Sequence, residues 1–198
     1  MRVAVMGSGA WGTVFSQVVS DAGNDVILWS RKQKVADVIN RKHKNPEHVS
    51  DIELPKAVVA TTGASAALRS ADIVVIALPS QAYRENLLQW RDAIPTGAVV
   101  VSLAKGIEIG SNMRMSEVMS QSLGIDSHRV AVVSGPNLAR EIGLRQPTAT
   151  TVACTDEINA QLVQDACAAP YFRPYYTTDV LGVEIAGAMK NVIALANG

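Results

Sequence analysis

Residues 1–12 read MRVAVMGSGAWG. A short apolar run, Val3-Ala4-Val5-Met6, leads straight into Gly7-Ser8-Gly9-Ala10-Trp11-Gly12, and Thr13 to Val19 predict a continuing helix. Strand, glycine turn and helix in that order give a G-x-G-x-x-G run its meaning as a dinucleotide-binding turn. Gly7 permits the tight turn. Gly9 leaves no Cβ between the backbone and a pyrophosphate. Gly12 lets the helix pack close to the strand. The helix N-terminus then offers N–H groups and a partial positive charge to a diphosphate.

The rest of the chain repeats the strand–helix theme. Strands are predicted at Asp25–Trp29, Ala57–Thr61, Asp72–Leu78, Ala98–Leu103, Arg129–Val133, 148–154 and 171–177. The 32–56 segment reads as part helix and part loop, and helices are predicted over 81–91, 112–123, 156–168 and 179–196. Runs such as DIVVIAL suit parallel strands covered on both faces. The expected fold is α/β: a doubly wound, mostly parallel sheet of the Rossmann type, with its ligand at the carboxyl ends of the strands. Residues 1–178 form the expected nucleotide-binding domain. The 179–198 segment is apolar around most of its circumference and is expected to be buried on several sides. It reads as the start of a second, helical domain, with the sequence stopping inside it.

Composition narrows the function. Of 198 residues, 48% are apolar, enough for a substantial core. Eighteen basic and eighteen acidic residues cancel, so no net field draws in nucleic acid or an anionic membrane. No apolar run approaches the length of a bilayer span. The N-terminus reads as a core strand, not a signal peptide. Cys154 and Cys167 have no CxxC spacing and suit a reducing cytoplasm. His43, His48 and His128 are scattered, so no metal site is expected.

Strand ends carry the candidate chemistry. Trp29-Ser30-Arg31-Lys32 occupies the place where NAD-specific folds put a carboxylate on the ribose 2′-hydroxyl, and no acidic residue lies between Val26 and Ala36. A hydroxyl and two cations, Arg31 before Lys32, suit a 2′-phosphate. Lys105 follows the fifth strand, near the reacting edge of a bound cofactor. Gly135-Pro136-Asn137 follows the sixth, where backbone N–H groups and the Asn137 amide can hold a small polar substrate. Lys190 interrupts the apolar last helix, with Asn191 beside it. Burial there would lower its pKa toward values useful for proton transfer, whereas its long stem also allows it to reach solvent.

With these pieces in hand, the chain resembles the bacterial NAD(P)-dependent glycerol-3-phosphate dehydrogenases. The resemblance rests on Gly7–Gly12, Leu28-Trp29-Ser30-Arg31, the loop from Asn45-Pro46 to Ile52-Glu53-Leu54-Pro55, Ala104–Glu108, Ser134–Glu141 and Gly187–Ala194. It implies reversible hydride transfer between NADP(H) or NAD(H) and dihydroxyacetone phosphate, giving sn-glycerol 3-phosphate for phospholipid synthesis. It assigns cofactor contacts to Ala10, Trp11, Arg31, Lys105 and Ala139, and substrate contacts to Lys105, Gly135 and Asn137. Lys190 becomes the proton donor to the ketone and the acceptor from the alcohol, with Asn191 beside the substrate. Ala10 stands where the family often has Ser, and Asn137 where Ser or Thr is common. The resemblance also implies a helical C-terminal domain, with an Asp near the lysine and an Arg-Asn pair for the substrate phosphate, outside residues 1–198.

Two other readings stand beside it. One is a related dehydrogenase of the beta-hydroxyacid or ketopantoate reductase group. The other is a nucleotide-sensing domain without catalysis. The expected partners are small molecules, with neither nucleic acid nor membrane, and a homodimer is compatible with the sequence, which leaves oligomeric state open.

Overall fold

Alternate residues of β1 (Arg2–Met6) face opposite sides of the sheet, and both sides are core. Val3 and Val5 pack with Val14, Phe15 and Val18 of α1 (Ala10–Asp21). Ala4 and Met6 pack with Leu68, Tyr83, Leu87 and Trp90 on the other side. A run apolar at every position, as Val3–Met6 is, needs cover on both faces, and helices supply it here. The computed structural model describes residues 1–197 except for the side chain of Asn191; Gly198 lies outside the described residues.

The remaining strands are β2 (Asp25–Trp29), β3 (Val58–Thr61), β4 (Ile73–Ile76), β5 (Val99–Ser102), β6 (Val130–Ser134), β7 (Thr148–Cys154) and β8 (Phe172–Thr177). They form one eight-stranded sheet in the order β3-β2-β1-β4-β5-β6-β7-β8. The order reverses between β1 and β4, whose parallel register sets Val3 against Ile73 and Met6 against Ile76. That reversal opens a crevice at the carboxyl ends, where doubly wound sheets bind ligands. The expected mostly parallel Rossmann-type sheet is what the chain forms.

The exception to parallel pairing is β6 with β7, which run antiparallel, with Ser134 opposite Thr151 and Ala131 opposite Cys154. The helix between them, α6 (Ala139–Gly143), has five residues. It rises only about 7.5 Å, too little to carry the chain back along a strand of about 17 Å. β7 therefore begins where β6 ends, which brings Thr150 and Thr151 to the carboxyl edge.

The other helices are α2 (Gln33–Lys42), α3 (Ala64–Leu68), α4 (Tyr83–Trp90), α5 (Met115–Leu123), α7 (Glu157–Cys167) and α8 (Val180–Asn197). α3 and α6 were not expected from the sequence, because five residues carry too little periodicity to register. The 81–91 helix divides into a 3₁₀ turn at Ser80–Ala82 and α4. The helix expected from 112 begins at Met115, since Arg114 bridges back to Ile107. Strand ends differ from expectation by one or two residues, most at β4, where Ala77 and Leu78 leave the sheet and line the crevice.

α8 is covered on one side only, as expected for an apolar helix against a doubly wound sheet. It meets the sheet through Val180 and Val183 against Val132 and Ala153. Its other apolar side chains, Leu181, Ile185, Met189, Val192, Ile193 and Leu195, are exposed, Leu195 by 84%. The sheet covers one side of the helix, and no second element among the described residues covers the rest. Glu184 fixes its angle. Its carboxylate, 7% exposed, accepts hydrogen bonds from Ser116 N (2.8 Å), Ser116 Oγ (2.6 Å) and Arg114 Nη1 (2.8 Å) at the start of α5.

Candidate active site

The glycine turn is held from both sides. Gly7 has φ +135°, and a Cβ there would run into the Ala77 carbonyl. A Cβ on Gly12 would strike the Gly7 carbonyl oxygen, so this glycine is what allows α1 to start so near β1. Gly9 faces open space. The first bond of the α1 ladder runs from Thr13 N to Gly9 O at 2.9 Å, which leaves the N–H groups of Ala10, Trp11 and Gly12 ahead of it.

A cleft opens over this turn. Its walls include Gly7, Ser8, Gly9, Trp29, Ser30, Arg31, Lys32, Ala77, Leu78 and Pro79, the ends of β1, β2 and β4. Ser30 is buried, and its Oγ accepts from Ser8 Oγ at 2.9 Å, tying β2 to the glycine turn. Arg31 is exposed and has no ion-pair partner among the described residues. Lys32 donates to both carboxylate oxygens of Glu47 at 2.8 Å. Open space at Gly9, free N–H groups and an unpaired guanidinium fit a dinucleotide: diphosphate at the helix start, adenosine toward Arg31.

Sequence reasoning missed Asn45, Glu47, His48 and Asn86 on or behind this wall. Asn45 is wholly buried. Its amide donates to Ser8 O and Thr13 Oγ1, both at 2.8 Å, and its Oδ1 accepts from the N–H groups of Glu47 (3.0 Å) and His48 (3.2 Å). One side chain thus bolts the 45–48 loop to the glycine turn.

A second cavity, about 310 Å³, lies beyond β6. It is lined by Ser134, Gly135, Pro136, Thr151, Val183, Ala186, Gly187 and Lys190. Lys105 reaches its edge, donating from Nζ to Gly135 O at 2.6 Å. Burial, and then the charge of Lys190, pull the Lys105 pKa below its ordinary value. The desolvated lysine of the pair is therefore Lys105. Lys190 is only partly buried, since α8 presents much of its circumference to solvent. Asn191 follows it, with its side chain outside the described residues.

The loop that carries Lys105 is pinned from below. The Tyr83 hydroxyl donates to Ile76 O (2.8 Å), meets Ser102 Oγ (2.9 Å) and accepts from Ala104 N (3.2 Å). Full burial pushes the Tyr83 phenol far above its ordinary pKa, so it stays a neutral strut between the ends of β4 and β5. Asn137 donates to Thr150 Oγ1 at 3.0 Å, and Thr150 Oγ1 donates to Ser134 O at 3.1 Å. The buried Asn137 Oδ1 has no hydrogen-bond partner among the described residues. α8 closes onto this corner at Gly187, where a Cβ would lie 2.6 Å from Ser134 Oγ and 3.6 Å from Lys105 Cγ.

The expected residues fall into three groups. Gly7, Gly9, Ser30, Arg31 and Lys32 share the first cleft, with Gly12 behind it and Ala10 starting α1. Gly135 and Lys190 share the second, with Lys105 and Asn137 beside Gly135. The side chains of Trp11 and Ala139 pack against the core, the Trp11 ring 5.4 Å from Phe15 and 6.3 Å from Phe172, while the Trp11 N–H stands at the start of α1.

A family model described as NAD-dependent glycerol-3-phosphate dehydrogenase N-terminus matches residues 2–160. The chain belongs to this family. Among similar curated proteins, glycerol-3-phosphate dehydrogenase [NAD(P)+] of Corynebacterium glutamicum (strain R) is 56% identical over 198 residues. That of Thermobifida fusca is 54% identical. Both alignments cover 100% of this chain, which spans only about 60% of the length of these relatives. Among solved structures, glycerol-3-phosphate dehydrogenase from Coxiella burnetii superposes with a TM-score of 0.89 at 29% identity, covering 98% of this chain and 59% of that one. A ketopantoate reductase from Ralstonia eutropha, at 21% identity and a TM-score of 0.70, shares the fold.

Proposed function

We propose that this chain is the nucleotide-binding part of a glycerol-3-phosphate dehydrogenase, interconverting dihydroxyacetone phosphate and sn-glycerol 3-phosphate with NADPH or NADH. Residues 1–178 are its NAD(P)-binding domain, and 179–198 begin the helical substrate domain. The observation that carries the reading is the Lys105–Gly135 hydrogen bond. It joins the strand end beside the glycine cleft to the cavity that Lys190 lines. The family of the chain makes the same substrate the first choice. Two free, buried cysteines agree with a reducing compartment, the cytoplasm.

In this mechanism the α1 N-terminus would hold the pyrophosphate and Arg31 the adenosine end, and a nicotinamide bound there would supply the hydride. Lys190 delivers a proton to the carbonyl oxygen as the ketone becomes an alcohol, and takes it back in the reverse direction. Lys105 places a positive charge beside that oxygen, where negative charge grows in the transition state. Asn137 Oδ1 accepts from a substrate hydroxyl. The close seat of α8 at Gly187 sets the helix that carries Lys190 against Ser134 and Lys105.

The test is a substrate panel on a polypeptide of full family length, followed by NADPH absorbance. Oxidation of NADPH with dihydroxyacetone phosphate, and not with ketopantoate or beta-keto acids, is expected. Turnover of those acids alone would overturn the reading. Nucleotide binding without turnover of any substrate would replace it with a sensing role.

A further inference from the structure

At the adenosine end of the glycine cleft, the second strand supplies only positive charge, through Arg31 and Lys32. The structure adds a carboxylate from elsewhere in the chain. Glu47 lies on the cleft wall with Ser30, Arg31 and Lys32. It is the only acidic side chain among the described residues on that wall. Both of its oxygens accept from Lys32 Nζ at 2.8 Å.

Two anchors make this more than a chance surface pair. Asn45, wholly buried, receives the Glu47 N–H on its Oδ1 and binds the glycine turn through its amide. Ser30 Oγ, bonded to Ser8, accepts the Lys32 N–H at 3.3 Å. The backbones of both partners are thus referenced to the turn that would hold the pyrophosphate. Their side chains remain about half exposed, so the ion pair opens at little cost.

We propose that Glu47 sets the balance between the two nicotinamide dinucleotides. A ribose 2′-hydroxyl is a donor, and the Glu47 carboxylate accepts from it while staying paired with Lys32. A 2′-phosphate is an anion. It takes Lys32 away from Glu47 and stands against the carboxylate's charge. Arg31 attracts the phosphate and Glu47 opposes it, so neither cofactor is excluded. This rests on the dehydrogenase reading above, because it needs a dinucleotide in the cleft.

The experiment measures dissociation constants of NADPH and NADH by calorimetry for the wild-type chain, Glu47→Gln and Lys32→Gln. Glu47→Gln keeps the shape of the side chain and removes its charge. NADPH binding should tighten by about fivefold as the opposing charge disappears, while NADH binding weakens or holds. Lys32→Gln should weaken NADPH more than NADH. A structural role for Glu47, merely holding its loop, would weaken both nucleotides together in Glu47→Gln. That result, or an unchanged NADPH-to-NADH ratio in a wild type that binds both, would overturn the proposal alone. Failure of the wild type to bind either nucleotide would overturn the dehydrogenase reading and this proposal with it.

Discussion

Lys105 Nζ donates to the Gly135 carbonyl at 2.6 Å, and that same oxygen accepts from Asn137 N at 2.8 Å. One carbonyl therefore ties the end of β5 to the turn after β6, with both of its lone pairs used. The lysine that makes this tie is half-buried and faces a second lysine, Lys190. Its charge is held at some cost, which gives it a signature in pH.

Burial, then Lys190, lower the Lys105 pKa from the ordinary 10.5. Between the lowered value and 10.5, the native state binds fewer protons than the unfolded chain. Stability therefore rises with pH across that window, and the penalty is complete below it. Lys105→Met lacks this slope. As pH rises through that window, the melting temperature of the wild type should gain on that of the variant, by a small amount because the ammonium is part-solvated. Parallel melting curves across that range would show that Lys105 carries no such penalty.

Arg31 should separate the two cofactors. It is exposed on the cleft wall and has no ion-pair partner among the described residues, while Lys32 is engaged with Glu47. Arg31→Ala should weaken NADPH by about 1.5–3 kcal/mol, the worth of a charged hydrogen bond. NADH should change little. Equal losses for both in a titration would remove Arg31 from the 2′-phosphate.

Lys190 should separate chemistry from nucleotide binding. Assayed in a polypeptide of full family length, Lys190→Ala should lower kcat by about 10²–10⁴-fold, the range for a positioned proton donor. The NADPH dissociation constant should hold, because Lys190 lines the second cavity and not the glycine cleft. The pKa of Lys105 should also move up toward its ordinary value, since a neighbouring positive charge has gone. Near-normal turnover would take Lys190 out of the mechanism.

The contrast between β1 and Asn45 explains how much of this was legible in the sequence. Val3 to Met6 are apolar at every position, and Gly7 to Gly12 follow at once, so local sequence carries both the strand and the turn. The sheet and the strand-end positions of Arg31, Lys105 and Gly135 follow from the same local signals. Asn45 lies in a polar loop with no periodicity. Its burial arises from packing against α1, a contact 32 residues away in sequence at Thr13. Glu47 was invisible for the same reason, and the absence of a carboxylate between Val26 and Ala36 said nothing about one arriving from a loop. The one-sided cover of α8 was legible too: apolar residues around most of a helix demand more cover than one sheet face gives, and the exposed side chains are those turned away from the sheet.

The 198-residue polypeptide by itself should bind NADPH yet reduce dihydroxyacetone phosphate negligibly. The glycine turn, Arg31 and the Asn45 anchor are all in place, so the nucleotide side needs nothing more. The substrate side has Lys105, Asn137 and the 135–137 turn, and no arginine is among the residues lining that cavity. Lys190 is only part-buried, on a helix whose other apolar side chains are exposed, so water reaches the proton-transfer site. Positioning and water exclusion, each worth several kcal/mol, are then weak together. The bare face, with Leu181, Ile185, Val192, Ile193 and Leu195 exposed, should also drive self-association that rises with concentration. Calorimetry with NADPH, absorbance of NADPH in the presence of the ketone, and sedimentation of the same sample test all three points. Turnover by this polypeptide matching that of a full-length relative would overturn the argument that the site needs cover over α8. A monomer at high concentration would show that the exposed face is not adhesive.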